Sequence, residues 1–424
     1  MTNYTTETYQ TKRDILNFCN KISEGIFKPI KKLTQDIVYG LLSSKSCLIT
    51  DISRELKEEI KLSNTVDRLS NRLANIEREE INKIKDNYYK EVMKYLPECY
   101  VIVLNDDTDL NKEYSRKLED LCVIRDASSQ VERYVNGYKV CEYVALSEKQ
   151  KTPISLYSKI YSTVSDNFKS ENDETIQGEN EVIRVLKDYG KRPIFIRDRG
   201  YDANEYFVKD IKEDNKFVTR LKGNRYLLFK GKKRLVESVA SSRKGKISTK
   251  LMYHGENKEC YISNTRVELP SSKGKEITLV TIHGLSEDGL PMMLLTNLEV
   301  KDKESAEHIV RLYFLRWRIE EYFKVKKDYK WEESLLRTLE SMNNMNMFLT
   351  IAMTHLSIQV EKLDKTFHSN LILERAKSLK EKAIIYLGMM GTGIKEILRY
   401  AHEGIRKWQH VEERGLYKQL ELKI

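Results

Sequence analysis

The sequence lacks the features that mark secreted, membrane-spanning and zinc-stabilised proteins. Its six cysteines are scattered, with no Cys-x-x-Cys pair and no Cys/His cluster. We therefore expect reduced core thiols and no structural zinc. No apolar run approaches the length of a membrane-spanning helix. The first residues, Met1 to Glu7, lack the basic and apolar regions of a signal peptide. These absences predict a cytoplasmic protein.

What is abundant is charge, with an excess of cations. Charged residues make up 33% of the 424 residues, and the net charge is +10, which fits a soluble globular protein with a very polar surface. The length allows one large core with appended domains, or two to three domains. The excess of Lys and Arg favours a polyanionic partner, most simply nucleic acid. A ribosome-associated or membrane-surface protein would carry the same charge.

The N-terminal part, from about Thr11 to Leu96, is typical of short helices joined by polar turns. Helices are predicted at Leu33–Leu42, Ile49–Ile60 and Ser63–Ile76. In the last helix, an apolar face is predicted to be buried and two arginines to point away from it: Val66, Leu69, Leu73 and Ile76 against Arg68 and Arg72. This arrangement is compatible with a helix-turn-helix-like DNA reader, and a plain helical bundle is the alternative.

Two short apolar runs each lead into an aspartate. Tyr100–Leu104 is followed by Asn105-Asp106-Asp107, and Pro193–Ile196 is followed by Arg197-Asp198. Apolar, β-branched runs of this kind are typical of strands buried on both faces. Further elements are predicted around them: a strand at Leu121–Ile124, a hairpin at Arg133–Val140 turning at Asn136-Gly137, a helix within Glu171–Gly190 and a helix from Ala203. This order indicates an RNase H-like α/β core.

The helical signal disappears between Lys216 and Asn297. Strands are predicted at Phe217–Leu221, Thr278–Ile282 and Met292–Thr296, with Gly-rich turns between them. We interpret the segment as a β-rich insertion that contacts the DNA backbone, because ten cations stand there against Glu237: Lys222, Arg225, Lys230, Lys232, Lys233, Arg234, Arg243, Lys244, Lys246 and Lys250. A solvated loop is the alternative for Ser241–Lys246. Beyond Ser341 the chain is mostly helical, with one strongly apolar face: Met345, Phe348, Ile351, Ala352 and His355.

Tyr313–Lys327 has no Gly or Pro and continues a helical pattern that starts near Lys303. On an ideal helix at about 100° per residue, four polar residues share a sector of roughly 60°, beside an apolar stripe. The four are Tyr313, Arg316, Glu320 and Lys327, and the stripe is Leu312, Leu315, Ile319 and Phe323. From the pattern alone, a functional site and an ordinary ion-paired, solvated face are equally good interpretations.

The spacing Tyr313-x2-Arg316-x3-Glu320-x6-Lys327 resembles the Tyr-Arg-Glu-Lys signature of bacterial insertion-sequence DDE transposases of the insertion-sequence-four type. The resemblance covers about Tyr100 to Lys327. It implies three catalytic, metal-binding carboxylates: Asp106, Asp198 and Glu320. The neighbours Asp107 and Asp109 leave the first choice open by position alone. The family's first motif resembles Asp-x-Thr-x-Leu, which selects Asp106.

The implied chemistry is phosphodiester cleavage with Mg²⁺, two ions per site, which Mn²⁺ can replace. Tyr313, Arg316 and Lys327 are expected to face nucleic acid. Asp202 is predicted to cap a helix, because Glu205 completes a capping-box pattern, and Trp317 is predicted to be core. Some relatives stack a flipped base on an insertion tryptophan. The tryptophans of this chain are Trp317, Trp331 and Trp408, none of which lies in the insertion.

The resemblance implies a cut-and-paste transposase acting on double-stranded DNA. It would bind terminal inverted repeats as a homodimer, cleave there, and join the freed 3′-hydroxyl to target DNA, in the cytoplasm at the nucleoid. The alternatives are a transposase-derived DNA-binding regulator without catalysis and an RNase H-like host nuclease. The expected domains are a helical DNA-binding region (1–97), an RNase H-like core (98–215 and 301–340), the β-rich insertion (216–300) and a helical region that is a candidate for dimerisation (341–424).

Overall fold

A computed structural model describes residues 4–126, 131–243, 245–253, 256–285, 289–363, 365–377 and 386–405. Lys244 and Trp408 lie outside these residues. The described chain is mixed α/β, with one sheet of 12 strands. No helix in these ranges is long and apolar enough to cross a membrane.

Helices form both ends of the described chain and lie between the strands of its middle part. Within the described ranges they are α1 (Tyr4–Ile22), α2 (Lys28–Ser44), α3 (Ile49–Glu55), α4 (Leu62–Ala74), α5 (Arg78–Val92), α6 (Glu171–Asp188), α7 (Asn204–Glu213), α8 (Val236–Ser241), α9 (Lys303–Phe314), α10 (Trp317–Asp328), α11 (Leu339–Glu361), α12 (Phe367–Arg375) and α13 (Tyr386–Leu398). Short 3₁₀ turns follow α5 at Met93–Tyr95 and β5 at Arg199–Tyr201.

The strands are β1 (Tyr100–Asn111), β2 (Cys122–Arg125), β3 (Tyr134–Leu146), β4 (Pro153–Tyr161), β5 (Arg192–Arg197), β6 (Lys216–Arg220), β7 (Tyr226–Phe229), β8 (Lys232–Leu235), β9 (Ile247–Tyr253), β10 (Glu256–Glu268), β11 (Glu276–His283) and β12 (Met292–Thr296). Their order in the sheet is β2-β3-β1-β5-β6-β12-β11-β10-β7-β8, with β4 paired to β3 and β9 to β10.

The two predicted aspartate-bearing strands, β1 and β5, are neighbours at the centre of the sheet. They run parallel, with Val103 opposite Phe195, and both side chains are fully buried. The prediction that the first strand stops at Leu104 is wrong. β1 continues to Asn111, because it also pairs antiparallel with β3 from Val103 onward.

The hairpin predicted at Arg133–Val140 is also wrong. Asn136 and Gly137 lie inside the continuous strand β3, opposite Val123 and Cys122 of β2. A Cβ atom on Gly137 would stand 2.3 Å from Ile124 Cδ1 and 2.6 Å from the Leu110 carbonyl oxygen. Glycine is therefore needed there for close packing and not for a turn. β4 is absent from the sequence-based prediction.

The strands predicted at Phe217–Leu221, Thr278–Ile282 and Met292–Thr296 are confirmed as β6, β11 and β12. β6 pairs parallel with β5, and β12 pairs antiparallel with β6. The sheet therefore runs without interruption from the central strands into the segment interpreted as an insertion.

The terminal helices pack on one another: α2 contacts α11 and α13, and α1 contacts α13. The apolar face predicted for α11 is confirmed, since all five of its residues are buried. The outward direction predicted for Arg68 is wrong. Its guanidinium lies 2.9 Å from Asp36 and 3.1 Å from Glu58, so two acidic side chains hold it against the helical bundle.

Candidate active site

The parallel register of β1 and β5 brings the two predicted aspartates to neighbouring positions. Asn105 stands opposite Arg197 as the last registered pair, and the next residues are Asp106 and Asp198. Side chains alternate between the faces of a strand. Arg197, fully buried, bonds Glu179 and Asp210 on the α6 and α7 side. The residue after it, Asp198, is thereby directed to the other face.

The two adjacent aspartates of β1 have different surroundings. Asp106 contacts Arg316, whereas Asp107 accepts a hydrogen bond from the Tyr161 hydroxyl at 3.4 Å. Burial raises the pKa of Asp107 to about 6, despite hydrogen bonds from Tyr201 and Cys141. Strand alternation therefore separates the two carboxylates, and only Asp106 faces the helix that carries Glu320.

The single helix predicted for Tyr313–Lys327 is wrong, because the chain forms two helices. α9 ends at Phe314 and α10 begins at Trp317. Through the junction, the amide of Arg316 donates to the Tyr313 carbonyl at 3.0 Å, and the amide of Ile319 donates to the Arg316 carbonyl at 3.1 Å. These bonds span three residues, as in a 3₁₀ turn. Tyr313 and Glu320 therefore belong to different helices.

Arg316, at this junction, links two of the three predicted carboxylates. Its Nη1 lies 3.3 Å from Asp106 Oδ2, and its Nη2 donates to Glu320 Oε1. The side chain is only 15% exposed. The residue expected to face DNA phosphate is thus held between carboxylates in the protein without DNA.

Tyr313 makes the corresponding contact to the third carboxylate. Its hydroxyl donates to Asp198 Oδ1 at 3.1 Å. Burial, and next the charge of Asp198, raise the pKa of Tyr313 to about 12. The phenol therefore stays protonated at neutral pH and serves as a hydrogen-bond donor inside the cluster, where the sequence predicts a donor to DNA.

The charges of the three carboxylates and of Arg316 act on one another. Burial raises the pKa of Asp106 to about 7, Arg316 opposes that rise, and Asp107 and Asp198 add to it. Burial alone would lower the pKa of Arg316, but Glu320, Asp106 and Asp198 together raise it. A cluster of this kind needs positive charge to be stable, and in this structure Arg316 supplies it.

The donor chemistry of this cluster suits a hard divalent cation, since all three groups offer carboxylate oxygens. Among the described residues, no group of three or more His, Cys, Asp or Glu side chains is already arranged to hold a metal ion. The Arg316 guanidinium contacts two of the three carboxylates. The three carboxylates are the type of ligand that Mg²⁺ prefers, and they are free to bind it once Arg316 moves away.

Three other residues considered in the sequence are Lys327, Trp317 and Asp202. Lys327 Nζ pairs with Glu332 at 3.0 Å. Trp317, expected in the core, is 45% exposed because it opens α10 at the junction. Asp202 is not a helix cap: α7 has Ala203 at that position, and Asp202 binds Arg225 and accepts a hydrogen bond from the Lys222 amide at 2.7 Å.

Sequence reasoning missed a basic cavity of about 440 Å³ lined in part by Arg199, Arg220 and Lys222. The positive charge of Arg220 also lowers the pKa of the Tyr313 phenol, although burial raises that pKa by more. The sequence does contain a signal for this cavity, because Arg220 is the last residue of β6, the strand next to β5. Neighbouring strand ends meet at one edge of a parallel sheet.

A family model described as "Transposase DDE domain" matches residues 98–354. No curated protein matches the sequence of the chain. One similar solved structure is the NurA nuclease from Sulfolobus solfataricus, with 11% sequence identity, coverage of 72% of this chain and 95% of that chain, and a TM-score of 0.26. A likeness at that level carries no argument about function.

Proposed function

The chain belongs to the DDE-domain transposase family, and on that premise we propose that it is a cut-and-paste transposase of the insertion-sequence-four type. The proposal includes an RNase H-like core and a Tyr-Arg-Glu-Lys signature formed by Tyr313, Arg316, Glu320 and Lys327. Its substrates are the terminal inverted repeats of the element and a target DNA.

One observation carries the proposal. Arg316 contacts both Asp106 and Glu320, while Tyr313 donates to Asp198. Three signature residues of one segment are thus joined to two aspartates from separate strands. An ordinary solvated helix face would pair its charges only along its own surface, as Arg316 does with Glu320. Arg316 also reaches Asp106 of β1, and the Tyr313 hydroxyl reaches Asp198 at the end of β5.

Asp106, Asp198 and Glu320 would hold two Mg²⁺ ions, which Mn²⁺ can replace. Bound there, the metal supplies an activated water and neutralises the leaving oxygen of the phosphodiester. Arg316, released from the carboxylates, is placed to bind a phosphate oxygen near the cleaved bond. Tyr313 stays protonated and orients Asp198 or a phosphate through its hydroxyl.

DNA contact by the segment 216–300 is supported by β8, in which all four residues, Lys232–Leu235, are exposed. Three of them are cations, and release of counterions from phosphate favours their binding to DNA. The remaining features of the proposal come from the family resemblance: end recognition by the N-terminal helices, pairing of two ends in a homodimer and the division into domains.

The test is an in vitro reaction with the DNA that flanks the coding region, a supercoiled target plasmid and Mg²⁺. The expected result is cleavage at the inverted repeats and joining of their 3′ ends to the target, both abolished by EDTA. Specific binding without cleavage would instead identify a regulator. Cleavage without selection of the ends would identify a host nuclease.

A further inference from the structure

A fully buried ion pair lies beneath the candidate active site. Lys326 Nζ of α10 stands 2.9 Å from Glu142 Oε2 of β3, and both side chains are 0% exposed. Neither residue belongs to the Tyr-Arg-Glu-Lys signature or to the three proposed metal ligands. Burying two charges is costly unless each finds several partners, so the surroundings of the pair decide what it does.

Those surroundings satisfy both charges. Glu142 also accepts hydrogen bonds from Ser155 and, at 2.7 Å, from Ser158 of β4. Lys326 lies 3.3 Å from Ser158 Oγ, and its ammonium stands 4.4 Å from the ring centroid of Trp331. A rotation of α10 or a shift along its axis would lengthen these contacts and leave buried charges without partners.

The network adjoins the site at two points. Glu142 stands directly opposite Asp106 in the β1–β3 register. Lys326 is six residues beyond Glu320 in the same helix, about 9 Å along the helix axis. The ion pair therefore joins the strand position beside Asp106 to the helix that carries Glu320.

The other buried side chains of α10 are mainly apolar: Ile319, Phe323 and Val325, with the ring of Tyr322 beside them. Apolar packing is non-directional and tolerates shifts that a fixed ion pair does not. Replacement of a buried ion pair by apolar residues of similar volume often leaves stability unchanged or higher. Stability alone therefore does not explain the pair, and its remaining role is to fix the position of α10.

We propose that Lys326 and Glu142 are positioning residues for the DDE site: they fix α10 so that Glu320 and Arg316 meet Asp106. This inference rests on the proposed function. The pair touches neither substrate nor metal, and acts through the placement of Glu320.

The test is the double variant Lys326→Met/Glu142→Leu, which removes both charges and keeps the volume. We expect an unchanged or higher Tm, DNA binding within about twofold of wild type, and a kcat for Mg²⁺-dependent cleavage at least tenfold lower with KM unchanged. The single variant Lys326→Met leaves Glu142 buried without its cation, and we expect it to lower Tm as well.

The matched control is Lys159→Met/Glu174→Leu. Lys159 is next to Ser158 in β4 but pairs with Glu174 of α6 at 2.5 Å, on the opposite face of the strand. This variant loses the same kinds of charge and is expected to keep the kcat of wild type. A kcat equally low in the control would show a general effect of lost charge and would overturn the proposal.

A second readout does not depend on cleavage. The position of α10 is measured with two spin labels, one at exposed Lys324 on α10 and one at exposed Lys187 on α6. The background variant is Cys99→Ser, which removes the exposed cysteine of the described chain. The distance distribution should be narrow in wild type and control, and shifted or broadened in the double variant. An unchanged distribution would refute positioning. Absence of cleavage by wild type with the expected distance change would refute the proposed function alone.

Discussion

Arg316 offers a direct test of how the carboxylate cluster is held before metal binds. Arg316→Met preserves most of the length of the side chain and removes the guanidinium that contacts Asp106 and Glu320. The guanidinium and a divalent cation require the same carboxylate oxygens. Their competition predicts that the variant binds Mn²⁺ more tightly than wild type when DNA is absent.

The size of the effect follows from the two contacts. A hydrogen bond between charged groups contributes about 1.5–3 kcal/mol when well enclosed. Here Asp106 is 26% and Glu320 35% exposed, so solvent screens the contacts and a smaller value applies. A combined effect of about 1.4 kcal/mol corresponds to a tenfold increase in affinity.

The assay is titration of Mn²⁺ followed by electron paramagnetic resonance, with isothermal calorimetry as a check, in the absence of DNA. The matched control is Arg318→Met in the same helix, where Arg318 pairs with Glu321 at 2.8 Å. We expect tenfold tighter binding for Arg316→Met and no change for Arg318→Met. Equal or weaker binding by Arg316→Met would refute competition between the guanidinium and the metal.

Three further predictions concern packing, pH and DNA binding. Gly137→Ala should lower the free energy of unfolding by about 1–3 kcal/mol in urea denaturation, because its Cβ would stand 2.3 Å from Ile124 Cδ1. Burial lowers the pKa of His355 to about 3, so below its unfolded pKa of about 6.5 only the unfolded state binds the proton. Tm should fall as pH drops from 6.5 toward 3, and His355→Leu should flatten that fall. Replacing the three cations of Lys232–Leu235 by Gln should reduce the slope of log affinity for DNA against log salt by about 2.7.

Each of these predictions has a control. Gly200→Ala should be neutral, since a Cβ there meets no atom within 4 Å. Met345→Leu, at a buried apolar residue of α11, should leave the pH dependence of Tm unchanged, and Lys187→Gln on α6 should leave the salt slope unchanged. A stable Gly137→Ala, an unaltered pH profile in His355→Leu or an unaltered salt slope in the β8 variant would contradict the corresponding argument.

The sequence pattern correctly predicts elements whose secondary structure depends on their own residues. Tyr100–Leu104 and Pro193–Ile196 are apolar runs, and each forms a central strand, β1 and β5. Their parallel register ends at Asn105 and Arg197, so Asp106 and Asp198 follow at neighbouring positions. The alternation of β1 also explains why Asp106 and Asp107 have different partners.

Features that depend on distant parts of the chain could not be predicted in this way. Gly137 looks like a turn residue until β2 is packed against it. Lys326 looks like one more surface cation of a basic helix, and its burial depends on Glu142, far away in the sequence. The break at Arg316 has no Gly or Pro to signal it; in the structure, Arg316 there contacts Asp106 across the sheet.

Isosteric variants test whether Asp106, Asp198 and Glu320 form one metal-dependent cleavage site. Asp106→Asn, Asp198→Asn and Glu320→Gln each remove one negative ligand with little change of shape. Each should fold, bind the DNA ends in a gel-shift assay and lose Mg²⁺-dependent cleavage by at least about 100-fold. Asp107→Asn, on the opposite face of β1, should cleave the same labelled fragment at the rate of wild type. Full cleavage by any of the three variants, or loss of cleavage in Asp107→Asn alone, would show that these three carboxylates are not the metal ligands.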